Sequence, residues 1–572
     1  MGKYKLKDTP SGLKTLIYTN SREIKLHSAY NPMGEAQRSV DSFQIGRANL
    51  ILVCGLGLGF HIQQLRQRFS DCTIVVVERD KRVIDIVLST YPEFIENLLI
   101  INTNLDMEVV FEVIDVTSIR GVTTYYHRPS YMIHKDYYDT FLVDINKYIS
   151  SKLSDLLTRF EFEEKWIHNI LENITKILNS IPVKSLFNKF RNYPGVIVSG
   201  GPTLRKNLHV LRCMRDRALI VCVDTAFKVL QKNQISPHLV MTIDSQKHSL
   251  KHFLGIRDES AILIADVVSF PRVIDYYGGN KIFSSTSKYY SDEEGNIKRE
   301  TTPLMDWVED FIPPIGDIQS GGSVATSAFD LLLNLGCNPI ILVGQDLAYT
   351  GREIHCSGTC HNDEWLPKTT RFMNLETFNQ NIIRKRKIKY VEAYGGEGEV
   401  ISDFVFDLYR RWFEDSSNKV GIPVINATEG GARIINTDEC SLESLLDRIP
   451  IRERRPDEIL KGLISQNVVN NPESLYKGVL SAIKGISEIK HLSEDFINEK
   501  AKLNDKIFQI INEENISKVI TPFLKKTYVY LSRHPEICEK RATKMFITDI
   551  AAASNKVLKL LNESKRRLEI IR

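Results

Sequence analysis

RNYPGVIVSGGPTLRKNLHVLRCMRDRALIVCVDTA, residues 191–226, decides the fold class. The apolar run Val196, Ile197, Val198 stops at Ser199-Gly200-Gly201-Pro202-Thr203, an amphipathic stretch follows, and a second apolar run closes on Asp224. These periods predict strand, tight turn, helix, strand. Gly200 and Gly201 let backbone N–H groups crowd together, Pro202 suits a first helical turn, and a helix N-terminus favours an anion. The turn is therefore a candidate phosphate cradle for a nucleotide.

Working outward, strand-like runs keep closing on acids: HLVMTID at Asp244, AILIAD at Asp266 and PIILVGQD at Asp346. Helical segments between them predict parallel strands with crossovers, whose carboxyl ends share one rim. Ligands of open α/β sheets bind on that rim. Each acid alone is read as a helix cap; four on one rim point to at least one with a binding role. A second glycine turn, Gln319-Ser320-Gly321-Gly322-Ser323-Val324-Ala325, opens a helix that runs through Leu335 and is stopped by Gly336. It is either an ordinary N-cap or, with the first turn, a grip on the phosphate and base of a nucleotide. The polar segment after Asp346, LAYTGREIHCSGTCHNDEW, follows a strand end without periodicity and suits a lid. Another glycine-rich turn at 391–400, a helix over 403–413, the strand IPVINAT and the turn Glu429-Gly430-Gly431-Ala432 close this part near 440.

Residues 1–150 read as a separate Rossmann-like unit. Asn49 to Cys54 is a buried-strand pattern leading into Gly55-Leu56-Gly57-Leu58-Gly59, then a helix from Phe60 to Phe69 and a strand from Thr73 to Val77 ending at Glu78. Either Glu78 holds a ribose and the turn binds a nucleoside, or the glycines only allow close helix–sheet packing. No substrate segment accompanies the turn, so it is assigned no catalytic task. Residues 151–190 read as a helical connector, 191–440 as the central domain, and 441–572 as an all-helical C-terminal domain with an apolar stripe through Leu558, Leu561, Leu568 and Ile570.

Length is consistent with this: 572 residues suffice for roughly three or four domains with their own cores. Lys and Arg number 75 against 71 Asp and Glu, so the overall balance gives no reason to invoke nucleic acid. No apolar run approaches the roughly 20 residues of a membrane span. MGKYKLKDTP lacks an apolar signal core, and the nine scattered cysteines fit a reducing compartment, so a cytoplasmic protein is expected. Cys356 and Cys360 with flanking His355 and His361 have a spacing that could suit zinc, but no second ligand pair stands at a usual distance, and no metal site is expected.

Three segments together carry a family resemblance: GVIVSGGPTLRKNL with ALIVCVDTAFKVLQKNQISPHLVMTID, GGSVATSAFDLLLNLGCNPIILVGQDLAYTGREIHCSG, and VINATEGGARI. In this order they resemble the motility-associated factor (Maf) flagellin glycosyltransferases, and the likeness covers most of the chain. The resemblance implies an N-terminal Rossmann-like domain, a central α/β domain similar to bacterial sialyltransferases, and a helical C-terminal domain. It implies inverting transfer of a nonulosonic acid, pseudaminic or legionaminic, from a CMP-activated donor to Ser or Thr hydroxyls of flagellin, with no obligatory metal or other cofactor, in support of flagellum assembly and motility.

On that resemblance the backbone of Gly200, Gly201 and Thr203, with Gly321, Gly322 and Ser323, would hold the nucleotide and its phosphate. Ser199 and Asp224 would contact ribose or cytosine, and Pro202, Asp244, Ser320, Gln345 and Asp346 complete the donor site. His355 is the expected general base, with His361 its rival, and Tyr349 the expected partner of the leaving phosphate. Thr203 stands where the usual cradle has Ser and keeps the hydroxyl. Two other readings stay open: a pterin-type diphosphokinase using ATP with Mg²⁺ on Asp224 and Asp244, and a flagellin-binding protein without catalysis.

Overall fold

The computed structural model describes residues 3–20, 22–102, 110, 114, 116–257, 259–291, 297–301, 303–465, 472–500 and 502–572. The chain forms two compact units, Met1–Glu161 with Leu524–Phe546, and Phe162–Phe523 with Ile547–Arg572. The fold is mixed α/β with parallel sheets and a helical C-terminal region.

The larger unit is built on a sheet of ten strands among the described residues. In chain order they are β1 (Ile181–Pro182), β2 (Gly195–Val198), β3 (Leu219–Val223), β4 (Leu239–Thr242), β5 (Ile262–Asp266), β6 (Lys281–Thr286), β7 (Asp317–Ile318), β8 (Ile340–Val343), β9 (Val424–Asn426) and β10 (Asp438–Glu439). Their order across the sheet is β7-β6-β5-β4-β3-β2-β8-β9-β10, with β1 also beside β6, and every pairing is parallel. β2, β3, β4, β5 and β8 are buried along their whole length. That is why they read as unbroken apolar runs rather than alternating ones.

This order sets the position of the site. The chain steps outward from β2 to β7, then returns past β2 to lay β8, β9 and β10 on its other side. β2 and β8 pair from Gly195–Ile340 to Val198–Val343, and beyond Val198 and Val343 their continuations turn opposite ways. Such a switch point leaves a crevice outside the strands' carboxyl ends. Three helices frame it: α1 (Leu204–Met214), α2 (Val324–Leu335) and α3 (Phe404–Lys419). α2 carries a capping box between Ser323 and Thr326 and ends at Gly336, whose φ of +85° is left-handed, as the sequence predicts. The predicted glycine-rich turn at 391–400 joins two strands, Ile388–Glu392 and Glu399–Asp403, in an antiparallel hairpin.

The smaller unit holds a parallel sheet in the order Leu99–Ile101, Thr73–Val77, Leu50–Cys54, Val122–Tyr126, preceded by a three-stranded antiparallel meander over residues 3–25. A single helix, Lys135–Leu178, runs across the boundary expected at 150. Its later part belongs with the larger unit for a polar reason. Asn169 Nδ2 donates to the carbonyls of Ser245 and Val268 at 3.0 and 2.8 Å, and Asn173 Nδ2 to those of Val267 and Ser269 at 3.3 and 3.0 Å. These buried amides satisfy loop carbonyls that would otherwise be orphaned.

Candidate functional site

A cleft of about 450 Å³ opens at the switch point. It is lined by Ser199, Gly200, Gly201 and Pro202 after β2, Thr225 after β3, Asp244 and Gln246 after β4, and Gly344, Gln345 and Asp346 after β8. Gly322 to Ala325 at the start of α2, His355 on the loop beyond β8, and Phe406 and Tyr409 of α3 line it too.

The first glycine turn is held by β8. Gly201 donates its N–H to the Gly344 carbonyl at 2.9 Å. A Cβ on Gly201 would lie 2.1 Å from Asp346 Oδ1 and 2.4 Å from Gly344 O, so close backbone approach explains this glycine. Asp346 accepts from the Thr203 N–H at 3.2 Å and from the Thr203 hydroxyl at 2.7 Å. Burial raises the Asp346 pKa, while the hydrogen bonds from Thr203 act against the rise. Two N–H groups expected to cradle phosphate, those of Gly201 and Thr203, are thus engaged within the protein. Thr203 is buried and outside the cleft lining, and Pro202 stands ahead of α1, which begins at Leu204. Ser199 lines the cleft and gives its hydroxyl to Gln345 Oε1 at 2.5 Å.

The second turn likewise satisfies itself. Gly321 and Ser323 both donate to Thr326 Oγ1, at 2.9 and 3.3 Å, and Gly322 donates to Ser320 Oγ at 3.2 Å. Ser320 and Gly321 lie outside the cleft lining, and a Cβ on Gly321 would meet the Trp412 indole at 2.5 Å. At this edge Val324 and Ala325 line the cleft instead, at the first turn of α2, where helix geometry leaves N–H groups without intrahelical partners.

Of the strand-end acids, Asp244 and Asp346 line the cleft and Asp224 does not. Asp224 is buried, accepting from the Thr225 N–H at 2.7 Å and the Thr242 hydroxyl at 2.9 Å, so it ties the ends of β3 and β4 together. Asp244 pairs with His248 Nε2 at 2.8 Å. Asp266 is buried beneath Thr286 and Val268, and burial lifts it to about 6.

His355 reaches the cleft, and its ring stacks on His361 with centroids 4.8 Å apart. Burial, reinforced by His361 and His252, pushes its pKa down to about 3. The loop is pinned where the Cys356 N–H donates to the Gly200 carbonyl at 2.9 Å. Tyr349 is not in the cleft: its hydroxyl donates to Asp403 Oδ2 at 2.5 Å, and burial and that carboxylate raise its pKa. The tyrosine that does line it is Tyr409, with Phe406 one helical turn before it. Their spacing marks a shared face of α3, but nothing local in the sequence says which way that face turns. Cys356 and Cys360 are free and buried, and among the described residues no group of three or more His, Cys, Asp or Glu is arranged to hold a metal ion.

The N-terminal glycine turn is filled by the protein itself. A Cβ on Gly55 would lie 2.3 Å from Ser130 Cβ, on Gly57 2.6 Å from His27 Nε2, and on Gly59 2.9 Å from Phe94 Cβ. Glu78 accepts from the Leu56 and Asp80 N–H groups at 2.8 and 2.9 Å, and His27 Nε2 accepts from Leu58 N–H at 2.7 Å. Close packing accounts for the glycines, and the ribose contact considered for Glu78 is replaced by these backbone bonds.

Among known proteins, the family model described as "6-hydroxymethylpterin diphosphokinase MptE-like" matches residues 168–352. Two Treponema pallidum (strain Nichols) proteins, each described as an uncharacterized protein, align at 23% identity over 383 residues and 24% over 197. These alignments cover 64% and 32% of this chain, and only 65% and 50% of the relatives' own length. A Maf glycosyltransferase from Magnetospirillum magneticum AMB-1 is similar in structure with a TM-score of 0.59 at 14% identity, over 99% of this chain and 92% of that one. This chain shares its fold.

Proposed function

We propose that the chain is a cytoplasmic glycosyltransferase that moves a nonulosonic acid of pseudaminic or legionaminic type from a CMP-activated donor to Ser or Thr hydroxyls of flagellin. The observation that carries this reading is the cleft at the switch point, where the N-terminus of α2, His355 and Tyr409 converge. The likeness in fold to a Maf glycosyltransferase supports the class, and the sialyltransferase-like character of the central domain belongs to the same proposal.

In this reaction the acceptor oxygen bonds to the anomeric carbon as that carbon's bond to the CMP phosphate breaks. CMP leaves with the electron pair, the acceptor proton passes to a base, and configuration inverts. The N–H groups of Val324 and Ala325 stabilise the charge growing on the phosphate. Tyr409, whose pKa burial and Asp403 raise so that its hydroxyl keeps its proton, hydrogen-bonds the donor. His355, neutral because burial depresses its pKa, takes the proton.

The MptE-like match favours a second reading, transfer of diphosphate from ATP with Mg²⁺. Its expected carboxylate pair does not converge, since Asp224 is committed to Thr225 and Thr242 while Asp244 lines the cleft. Melting temperature separates the two. CMP raising it without metal supports the transferase, and a rise only with ATP and Mg²⁺ overturns it. Incubation of flagellin with CMP-nonulosonic acid and the purified chain should then raise the flagellin's intact mass by one sugar residue; an unchanged mass counts against the acceptor and donor proposed.

A further inference from the structure

A second cavity, of about 810 Å³, lies in the smaller unit at the amino ends of the parallel strands, opposite the filled glycine turn. Its lining residues immediately precede Leu50–Cys54, Thr73–Val77 and Val122–Tyr126, with a contribution from the end of the helix Glu514–Arg533. Four guanidiniums line it, Arg47, Arg68, Arg120 and Arg533, against two carboxylates, Asp71 and Glu536.

Two of the arginines have a structural occupation. Arg68 donates to the Val40 carbonyl and Arg533 Nε to the Thr117 carbonyl at 2.7 Å, neutral acceptors that orient each fork without cancelling its charge. Glu536 pairs with His534 at 2.6 Å. Arg47 and Arg120 are exposed, and Arg120 adds to the pull of His534 that lowers the Glu536 carboxyl, so its charge is only partly met within the cavity. Four like charges from four separate segments repel one another, and nothing in the fold of this sheet requires their convergence. Planar guanidinium forks match the paired oxygens of phosphoryl groups, and the cavity falls within the roughly 300–1,000 Å³ range of small-molecule sites.

We infer that this cavity is a binding site for a ligand carrying two or more phosphoryl groups, separate from the cleft of the larger unit and independent of the function proposed for it. A soluble diphosphate ester and a lipid headgroup bearing more than one phosphoryl group share this chemistry.

The test is calorimetric titration of inorganic pyrophosphate and orthophosphate into the full chain and into R47Q/R120Q. The expected result is that pyrophosphate binds more tightly than orthophosphate, and that the double variant weakens it about a hundredfold, at roughly tenfold for each charge-assisted pair. Affinity should also fall steeply with added salt. CMP binding and circular dichroism should be unchanged in R47Q/R120Q, and R120E, carrying one reversed charge, guards against a folding artefact by weakening pyrophosphate on its own. Co-sedimentation with phosphatidylcholine vesicles with and without phosphatidylinositol bisphosphate assigns the source: arginine-dependent binding to phosphatidylinositol bisphosphate names a lipid headgroup, and none names a soluble ester. No pyrophosphate binding, or binding that both variants retain and CMP competes away, overturns the inference.

Discussion

His355→Ala in the proposed transferase tests the assignment of the base through its pH dependence as well as its rate. A histidine pushed down to about 3 is protonated in only about 1 molecule in 100 at pH 5, where an unperturbed one is almost wholly charged. The pH profile of kcat/KM reports the free enzyme, so it should show no acid limb from His355 between pH 8 and 5. kcat reports the complex. There a donor phosphate and carboxylate near the ring favour imidazolium, and an opposite charge at this range raises a pKa by roughly 1–3 units. The kcat limb should therefore lie at about pH 4–6, above the limb of kcat/KM. Removing a general base costs about 10²–10⁴ in rate, so His355→Ala should lower kcat by that factor and abolish its limb. Stopped assays of CMP release from pH 4 to 8, with melting temperature as a control for folding, measure both. A limb near neutrality in kcat/KM that survives His355→Ala refutes the assignment. It would pass the role to the His248–Asp244 pair, whose 2.8 Å contact stands at the same rim.

Three further outcomes follow from the geometry. Gly201→Ala drives a methyl against Asp346 and Gly344 and should cost about 1–3 kcal/mol of stability, read as a lower urea midpoint; an unchanged midpoint would mean the turn and β8 can part freely. Tyr409→Phe should weaken CMP binding while leaving the melting temperature near that of the parent, whereas Tyr349→Phe should do the reverse, because its hydroxyl serves Asp403 and not the cleft. Exchange of those two phenotypes would restore Tyr349 to the site. In the smaller unit His27, His61 and His127 are buried together, ring centroids 4.5–6.2 Å apart, and burial lowers all three pKa values, that of His61 to about 4. The unfolded chain binds protons at these histidines below about pH 6.5 while the folded one does not, so stability is lost as pH falls from there towards 4. Glu78, raised to about 7 by burial, works in the opposite direction over roughly pH 4.5–7. Three groups against one leave a net loss of about 2–3 kcal/mol per pH unit near pH 5.5. Hydrogen exchange in residues 50–77, corrected for intrinsic rates, should accelerate accordingly, and Glu78→Gln should steepen the loss; a flat profile would refute the linkage.

What the chain discloses locally and what it withholds divides along physical lines. β2, β3, β4, β5 and β8 are legible because burial on both faces demands unbroken apolar runs, and the stop at Gly336 because a left-handed cap favours glycine. Proximity of the Ser199–Pro202 and Gly344–Asp346 segments is legible only as far as strands with crossovers imply a common rim. Which donors are free on that rim is not, because it depends on partners distant in sequence: Asp346 reaches Thr203, and Trp412 packs on Gly321. The same long-range logic converts Asp224 into a strap between strands and gives the cleft to Tyr409 instead of Tyr349. In the two glycine turns of the larger unit the N–H groups of Gly201, Thr203, Gly321, Gly322 and Ser323 are already hydrogen-bonded, so a glycine there marks where backbones crowd, which is necessary for a phosphate cradle and not sufficient for one. The N-terminal turn makes the point from the other side. It has the stronger glycine signature, yet Ser130, His27 and Phe94 pack where side chains on Gly55, Gly57 and Gly59 would stand, so close packing alone accounts for them. A ligand site in such sheets is identified by where the rest of the chain leaves the rim open, and of the three turns considered the two of the larger unit border such an opening.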